Sequence, residues 1–131
     1  MDVEVELSRI IINESSDQQI IVLKERHGER GFPIVIGIVE IFAIDRRLKG
    51  IDPPRPMTHD LLDSVIKSLG ARVERIVIND LRDHVFYATI QLSVNGRTVD
   101  VDSRPSDAIA LGAASNAPIY VADHVFDQTA Q

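Results

Sequence analysis

Two short stretches of this sequence share an order of residue types that could do chemistry. They are Pro54-Arg55-Pro56-Met57-Thr58-His59-Asp60 and Ser103-Arg104-Pro105-Ser106-Asp107. Each sets an arginine beside a proline and places an aspartate in what reads as the first turn of a helix. The helix that would follow Pro105 has no polar stripe, so Asp107 must lie buried or at the edge of a cleft. A buried carboxylate needs a charged donor, and Arg55 or Arg104 can supply a bidentate one. On the other helix His59 and Asp63 are four residues apart with Asp60 beside them, and Asp100 and Asp102 share one face of the strand before Arg104. If the two helix starts converge, His59, Asp60, Asp102 and Asp107 form a carboxylate-rich site flanked by Arg55 and Arg104, with Glu40 as a further metal ligand. Hard divalent cations, Mg²⁺ or Mn²⁺, prefer such oxygen donors. Metal-activated water beside arginines suits hydrolysis of a phosphodiester. The same residues also have a plainer reading. Thr58 caps a helix, Pro105 occupies a permissive first-turn position, Asp60 and Asp107 favour a helix dipole, and Arg–Asp pairs tie the two helix starts together. Spacing alone leaves both open.

The elements that must position these groups are readable from periodicity. Val3, Val5 and Leu7 alternate with polar residues and run into Ile10-Ile11-Ile12, a strand. A polar loop over residues 13–17 leads to a second strand at 19–24, and a turn at 27–31 to a third at 33–37. Residues 40–48 change to helical spacing and end at Gly50. Ile51-Asp52-Pro53-Pro54-Arg55-Pro56 is an extended connector, because each proline disfavours helix in the residue before it. In the helix that follows, Leu61, Leu62, Val65, Ile66 and Leu69 fill one arc, while His59, Asp60, Asp63, Ser64 and Lys67 fill the other. Strands are expected at 71–78, 84–94 and 98–102, with a turn at 79–83 and an Asn95-Gly96 hairpin. The helix over 105–114 is rich in small residues and must pack closely against a sheet or another subunit. Residues 118–121 make a last short strand. The expectation is one α+β domain over residues 1–126, a mixed, mostly antiparallel sheet of about eight strands with three helices, and a polar tail at 127–131.

Composition narrows the partners. The chain has 131 residues, 14 Lys and Arg against 20 Asp and Glu, a net charge of −6 and no cysteine. There is no disulfide framework, no thiolate zinc site and no cysteine nucleophile. No apolar run is long enough to span a membrane, and the acidic N-terminus is unlike a signal peptide, so a soluble cytoplasmic domain is expected. Aromatic residues make up 5% and are not interleaved with basic ones, so no platforms for stacking bases are visible. The acidic surplus argues against a general nucleic-acid binder. It resides at the two ends: residues 32–79 carry 7 basic and 6 acidic side chains, and the one cationic cluster is Arg46, Arg47, Lys49 and Arg55. An anionic ligand has most reason to go there, although cations also suit the end of a helix.

In combination and in order, several motifs make the chain resemble the bifunctional nuclease domain family over residues 3–126. They are Pro33-Ile34-Val35-Ile36-Gly37 with Glu40, the two Arg-Pro stretches, Phe86-Tyr87-Ala88, Ala108-Ile109-Ala110-Leu111 and Pro118-Ile119-Tyr120-Val121. The resemblance implies an α+β domain, association into homo-oligomers, and RNA or DNA as substrate. It carries over no catalytic residues. Two functions are therefore expected as rivals. One is a metal-dependent nuclease using His59, Asp60, Asp102, Asp107 and Glu40, with Arg55 and Arg104 on phosphate. The other is a non-catalytic oligomeric module in which the same residues form a structural network.

Overall fold

The computed structural model describes residues 1–13 and 15–129. Glu14 of the expected loop and Ala130 and Gln131 of the expected tail lie outside the described residues. Three antiparallel strands come first: β1 (Asp2–Ile11), β2 (Gln18–Glu25) and β3 (Gly31–Gly37). Strict alternation in β3 buries Phe32, Ile34 and Ile36 and exposes the residues between them. Helices α1 (Ile38–Leu48) and α2 (Thr58–Ser68) follow, joined by the proline-rich connector. Next come β4 (Ala71–Arg82), β5 (Val85–Val94) and β6 (Arg97–Ser103), another antiparallel set. Helix α3 (Pro105–Ser115) then carries the chain across to β7 (Ile119–Ala122), and α4 (Asp123–Thr129) closes the described chain.

One mixed sheet results, in the order β3-β2-β1-β7-β4-β5-β6, antiparallel except where β7 runs parallel to β4. Among the described residues it has seven strands and four helices, against the expected eight and three. The extra helix, α4, takes in residues 127–129 of the expected tail. Its sequence looks polar, but Val125 and Phe126 are buried, and the Phe126 ring meets Phe32 edge-on at 5.4 Å. Phe32 of β3 also stacks on Phe86 of β5 at 5.4 Å, although β3 is one edge of the sheet and β5 lies next to the other. The sheet therefore curls, and α4 plugs the curl.

The Asn95-Gly96 hairpin forms as expected, with both residues at positive φ, 52° and 77°, as a type I′ turn requires. The turn expected over residues 79–83 is corrected. Strand β4 continues to Arg82, a bulge between Ile78 and Asp80 resets its register, and Leu81 pairs with Phe86. The turn itself is Asp83-His84, at φ 51° and 66°. Aspartate tolerates the left-handed region, but without glycine the pair gives little sequence signal.

Helix α3 is the centre of the helical layer. Pro105, Ser106, Ala108, Ile109, Ala110, Leu111, Gly112 and Ala114 are all buried. It lies on β4 and β5, with α1 and α2 packed on it in turn. In α2 the polar side chains His59 and Asp63 reach α3, and Asp63 is its one buried residue. The Asp63 carboxylate accepts hydrogen bonds from Ser115 Oγ at 2.8 Å and from Lys67 Nζ at 2.8 Å. Leu61, Leu62, Val65 and Leu69 are exposed. Amphipathic spacing dictates that two arcs differ. It does not say which arc this chain covers.

No helix among the described residues is long and apolar enough to cross a membrane.

Candidate functional site

Three helix N-termini meet at one place, and each contributes an ionisable side chain. Arg104 sits in extended conformation just before α3, as a residue preceding proline should. From there its Nε and Nη2 donate to Asp107 Oδ2 at 2.9 and 2.8 Å, and Nη2 also donates to Glu40 Oε1 at 3.0 Å. Glu40 lies in the first turn of α1, where the helix dipole favours an anion. Its carboxylate folds back over Gly37, where an added Cβ would stand 2.6 Å from Oε2. Glycine at position 37 therefore leaves the space that Glu40 uses.

The second oxygen of Asp107 faces α2. His59 Nε2 is 3.1 Å from Asp107 Oδ1, and the imidazole is largely buried, with 12% of its side chain exposed. A carboxylate only accepts, so Nε2 carries the proton in this contact, and the lone pair of the neutral ring form would lie on Nδ1. The result is a continuous chain, Glu40–Arg104–Asp107–His59, spanning α1, α3 and α2.

Burial pushes the Asp107 carboxyl up. The hydrogen bonds from His59 and Arg104, with the Arg104 charge, outweigh it and leave the carboxyl below its ordinary value. Hydrogen bonding to Asp107, then the charges of Asp107 and Glu40, raise the Arg104 guanidinium in turn. A carboxyl whose folded pKa is depressed stabilises the fold fully above its unfolded value near pH 4 and loses that contribution as pH falls through the folded value. Asp107→Asn should therefore unfold earlier than wild type in thermal melts at pH 7, with the gap closing below about pH 4. A gap that stays constant with pH would contradict this.

His59 also lines a recess of about 20 Å³, room for one water molecule. Ala43, Arg46 and Arg47 of α1, His59 and Asp60 of α2, and Ala110 and Ala114 of α3 line it, with Ile51, Pro53 and Met57 from the connector. Arg47 is spent on structure, donating to the Ala113 and Ala114 carbonyls at 3.3 and 2.8 Å at the end of α3. Half-buried Arg46 makes no ion pair among the described residues and lines this recess together with Asp60. Sequence reasoning placed Arg46 in the cationic cluster but did not connect it to His59. The 3.6-residue period gives each helix a face, not the approach of one helix to another.

The structure brings together His59, Asp107, Arg104 and Glu40 from the expected set, and leaves three residues apart. Asp60 lines the recess, but its carboxylate accepts the Met57 N–H at 3.2 Å. Met57, and not Thr58, is therefore the residue before the first helical turn. Asp102 pairs with Thr89 on β5, whereas Val101 pairs with Ile90 and Ser103 with fully buried Ala88. Asp102 thus points to the face of the sheet away from α3, and the convergence assumed for it does not occur. Arg55 is exposed on the connector and makes no ion pair among the described residues.

These donors do not fit a divalent metal. Among the described residues no three of His, Asp and Glu are grouped as ligands. Glu40 and Asp107 already share Arg104, and Asp60 is turned to its own helix start. Water-mediated proton transfer fits better, since an oriented imidazole, a water-sized recess and a neighbouring cation are all present.

Comparison with other proteins adds a family context. Residues 21–131 match the sequence profile of the bifunctional nuclease domain. An uncharacterized protein of Mycobacterium tuberculosis strain H37Rv is 37% identical over 125 residues, covering 95% of this chain and 74% of that protein. Bifunctional nuclease 1 of Oryza sativa subsp. japonica is 25% identical over 114 residues, 84% of this chain and 34% of the plant protein. Bifunctional nuclease 2 of the same rice is 27% identical over 114 residues, 84% of this chain and 35% of its own length. The chain spans about a third of these plant relatives.

Proposed function

The chain belongs to the bifunctional nuclease domain family, and from that premise we propose that it hydrolyses phosphodiester bonds in RNA or DNA at the recess beside His59. The observation that carries this reading is the Glu40–Arg104–Asp107–His59 chain, which ends in an imidazole at a water-sized space lined by Arg46. Asp107 holds the ring with Nε2–H toward its carboxylate, so Nδ1 takes a proton from water as the water oxygen attacks phosphorus. The bond from phosphorus to the leaving oxygen breaks, and that oxygen takes its proton from solvent. Arg46 neutralises the phosphate oxygens as charge builds, and Arg55, free on the connector, holds the flanking phosphate. With only Arg46 and Arg55 on phosphate, raising salt from 50 mM to 200 mM should weaken substrate binding by only about tenfold, a shallow dependence.

The finer expectation, a Mg²⁺- or Mn²⁺-dependent reaction through Asp60, Asp102, Asp107 and Glu40, predicts a different response to chelator. The test is cleavage of single-stranded and duplex RNA and DNA by the purified chain in EDTA, and again with Mg²⁺ or Mn²⁺. The His59 route retains activity in EDTA and loses it in His59→Gln. Loss of all activity in EDTA with restoration by Mn²⁺ would overturn the metal-free route.

A second reading has its own support. Arg104 is held by two carboxylates from two helix starts, as expected of a lock between them in a non-catalytic module. It predicts no cleavage by folded wild-type protein on any of these substrates.

A further inference from the structure

The curl of the sheet brings edge strand β3 opposite the start of β5. Between them and the N-terminus of α3 lies a groove of about 540 Å³, ample for a small organic molecule. It shares no lining residue with the recess at His59. Its walls have two characters. Val35, Val85 and Phe86 make one part apolar, and the two valines are 57 and 53% exposed. Arg104, Pro105 and Ser106, at the first turn of α3, make the other.

Ser106 is the residue that packing does not explain. It is 8% exposed, yet its hydroxyl makes no hydrogen bond among the described residues. A polar group set so deep is ordinarily paired. The hydroxyl is not sealed in protein either, because no side-chain oxygen or nitrogen among the described residues is both wholly buried and unpartnered. It therefore opens into the groove that Ser106 lines. Other donors beside it are unused as well. No side chain caps α3, and the Arg104 carbonyl takes the Ala108 N–H, so the Ser106 and Asp107 N–H groups lack an intrahelical acceptor. Arg104 spends Nε and Nη2 on Asp107 and Glu40, while its Nη1 makes no hydrogen bond or ion pair among the described residues.

We infer that this groove binds a phosphomonoester joined to a flat, largely apolar body, the chemistry of a nucleoside monophosphate or an aryl phosphate. The phosphate oxygens accept from Ser106 Oγ, the first-turn N–H groups and Arg104 Nη1, at the positive end of the α3 dipole. Asp17, which is exposed, is the one carboxylate lining the groove among the described residues. Glu40 and Asp107 do not line it and are already paired with Arg104. The body lies against Val35, Val85 and Phe86, a surface that rewards a flat ring more than a hydroxylated one. Inorganic phosphate uses only the donors, and a nucleoside uses only the apolar wall.

Isothermal titration calorimetry on the full chain in EDTA tests the inference independently of cleavage at His59, because adenosine monophosphate has no phosphodiester bond. That nucleotide should bind one-to-one, about tenfold or more tightly than adenosine, inorganic phosphate or glucose 6-phosphate. Phenyl phosphate separates the two sources. Equal affinity for it supports a general aryl-phosphate site, and weaker affinity supports a nucleotide site. Ser106→Ala should weaken nucleotide binding about tenfold, the usual effect of losing a hydrogen bond to a charged group. Val35→Glu, at an exposed position on the groove wall, should weaken it as much by repelling the phosphate, and serves if Ser106→Ala fails to fold. The inference is overturned if neither phosphate ester binds, if adenosine or glucose 6-phosphate binds as tightly as the nucleotide, or if affinity is unchanged in a folded variant.

Discussion

His59→Gln is expected to reduce phosphodiester cleavage by about 10² to 10⁴-fold, the usual contribution of a positioned general base. Glutamine preserves a hydrogen bond to Asp107 and much of the side-chain volume, so the loss reflects proton transfer and not collapse of the recess. Circular dichroism and a thermal melt close to wild type would establish that the protein is folded. Asp107→Asn should also lose activity, because the amide can donate as well as accept and no longer holds the ring in the Nε2–H tautomer. Cleavage at wild-type rate by folded His59→Gln would remove the imidazole from the mechanism.

The largest effect on stability should come from Gly112. A glycine inside a helix costs about 1 kcal/mol relative to alanine, so on propensity alone a larger residue there would stabilise the fold. Packing outweighs propensity at this position. A Cβ on Gly112 would stand 2.8 Å from Ile76 Cγ1, inside the contact between α3 and β4. Ile76 is fully buried and cannot swing away. Gly112→Val should therefore destabilise by about 3 kcal/mol, the upper part of the range for overpacking a core. Chemical denaturation at neutral pH measures it, and unchanged stability would mean that α3 does not rest on β4 at this distance.

Where the sequence pattern is periodic and uninterrupted, it agrees with the fold. The strands that alternate, the Asn95-Gly96 turn and the burial of α3 all follow from local residue choice. What was not legible depends on tertiary contact. The Asp83-His84 turn lacks glycine, and its strand is extended by a bulge that no periodicity announces. Helix α4 is anchored by only two buried residues in seven. Alternation separated Asp102 from Val101, but only the pairing of β6 with β5 shows that the helices lie on the valine side. The meeting of Glu40, His59 and Asp107 was partly legible, because an acid in a helix without a polar stripe demands partners. That Arg46 would line the same recess as His59 was not, since it depends on how α1 and α2 pack on α3.

The central claim is that His59 and Asp107 act as one unit on the scissile phosphate. A double-mutant cycle measures it directly, using single-turnover cleavage by wild type, His59→Gln, Asp107→Asn and the double variant in the presence of EDTA. Residues that act through each other are not additive, so the double variant should cleave no more slowly than the slower single variant. Multiplying defects, or wild-type cleavage in either folded single variant, would contradict the account.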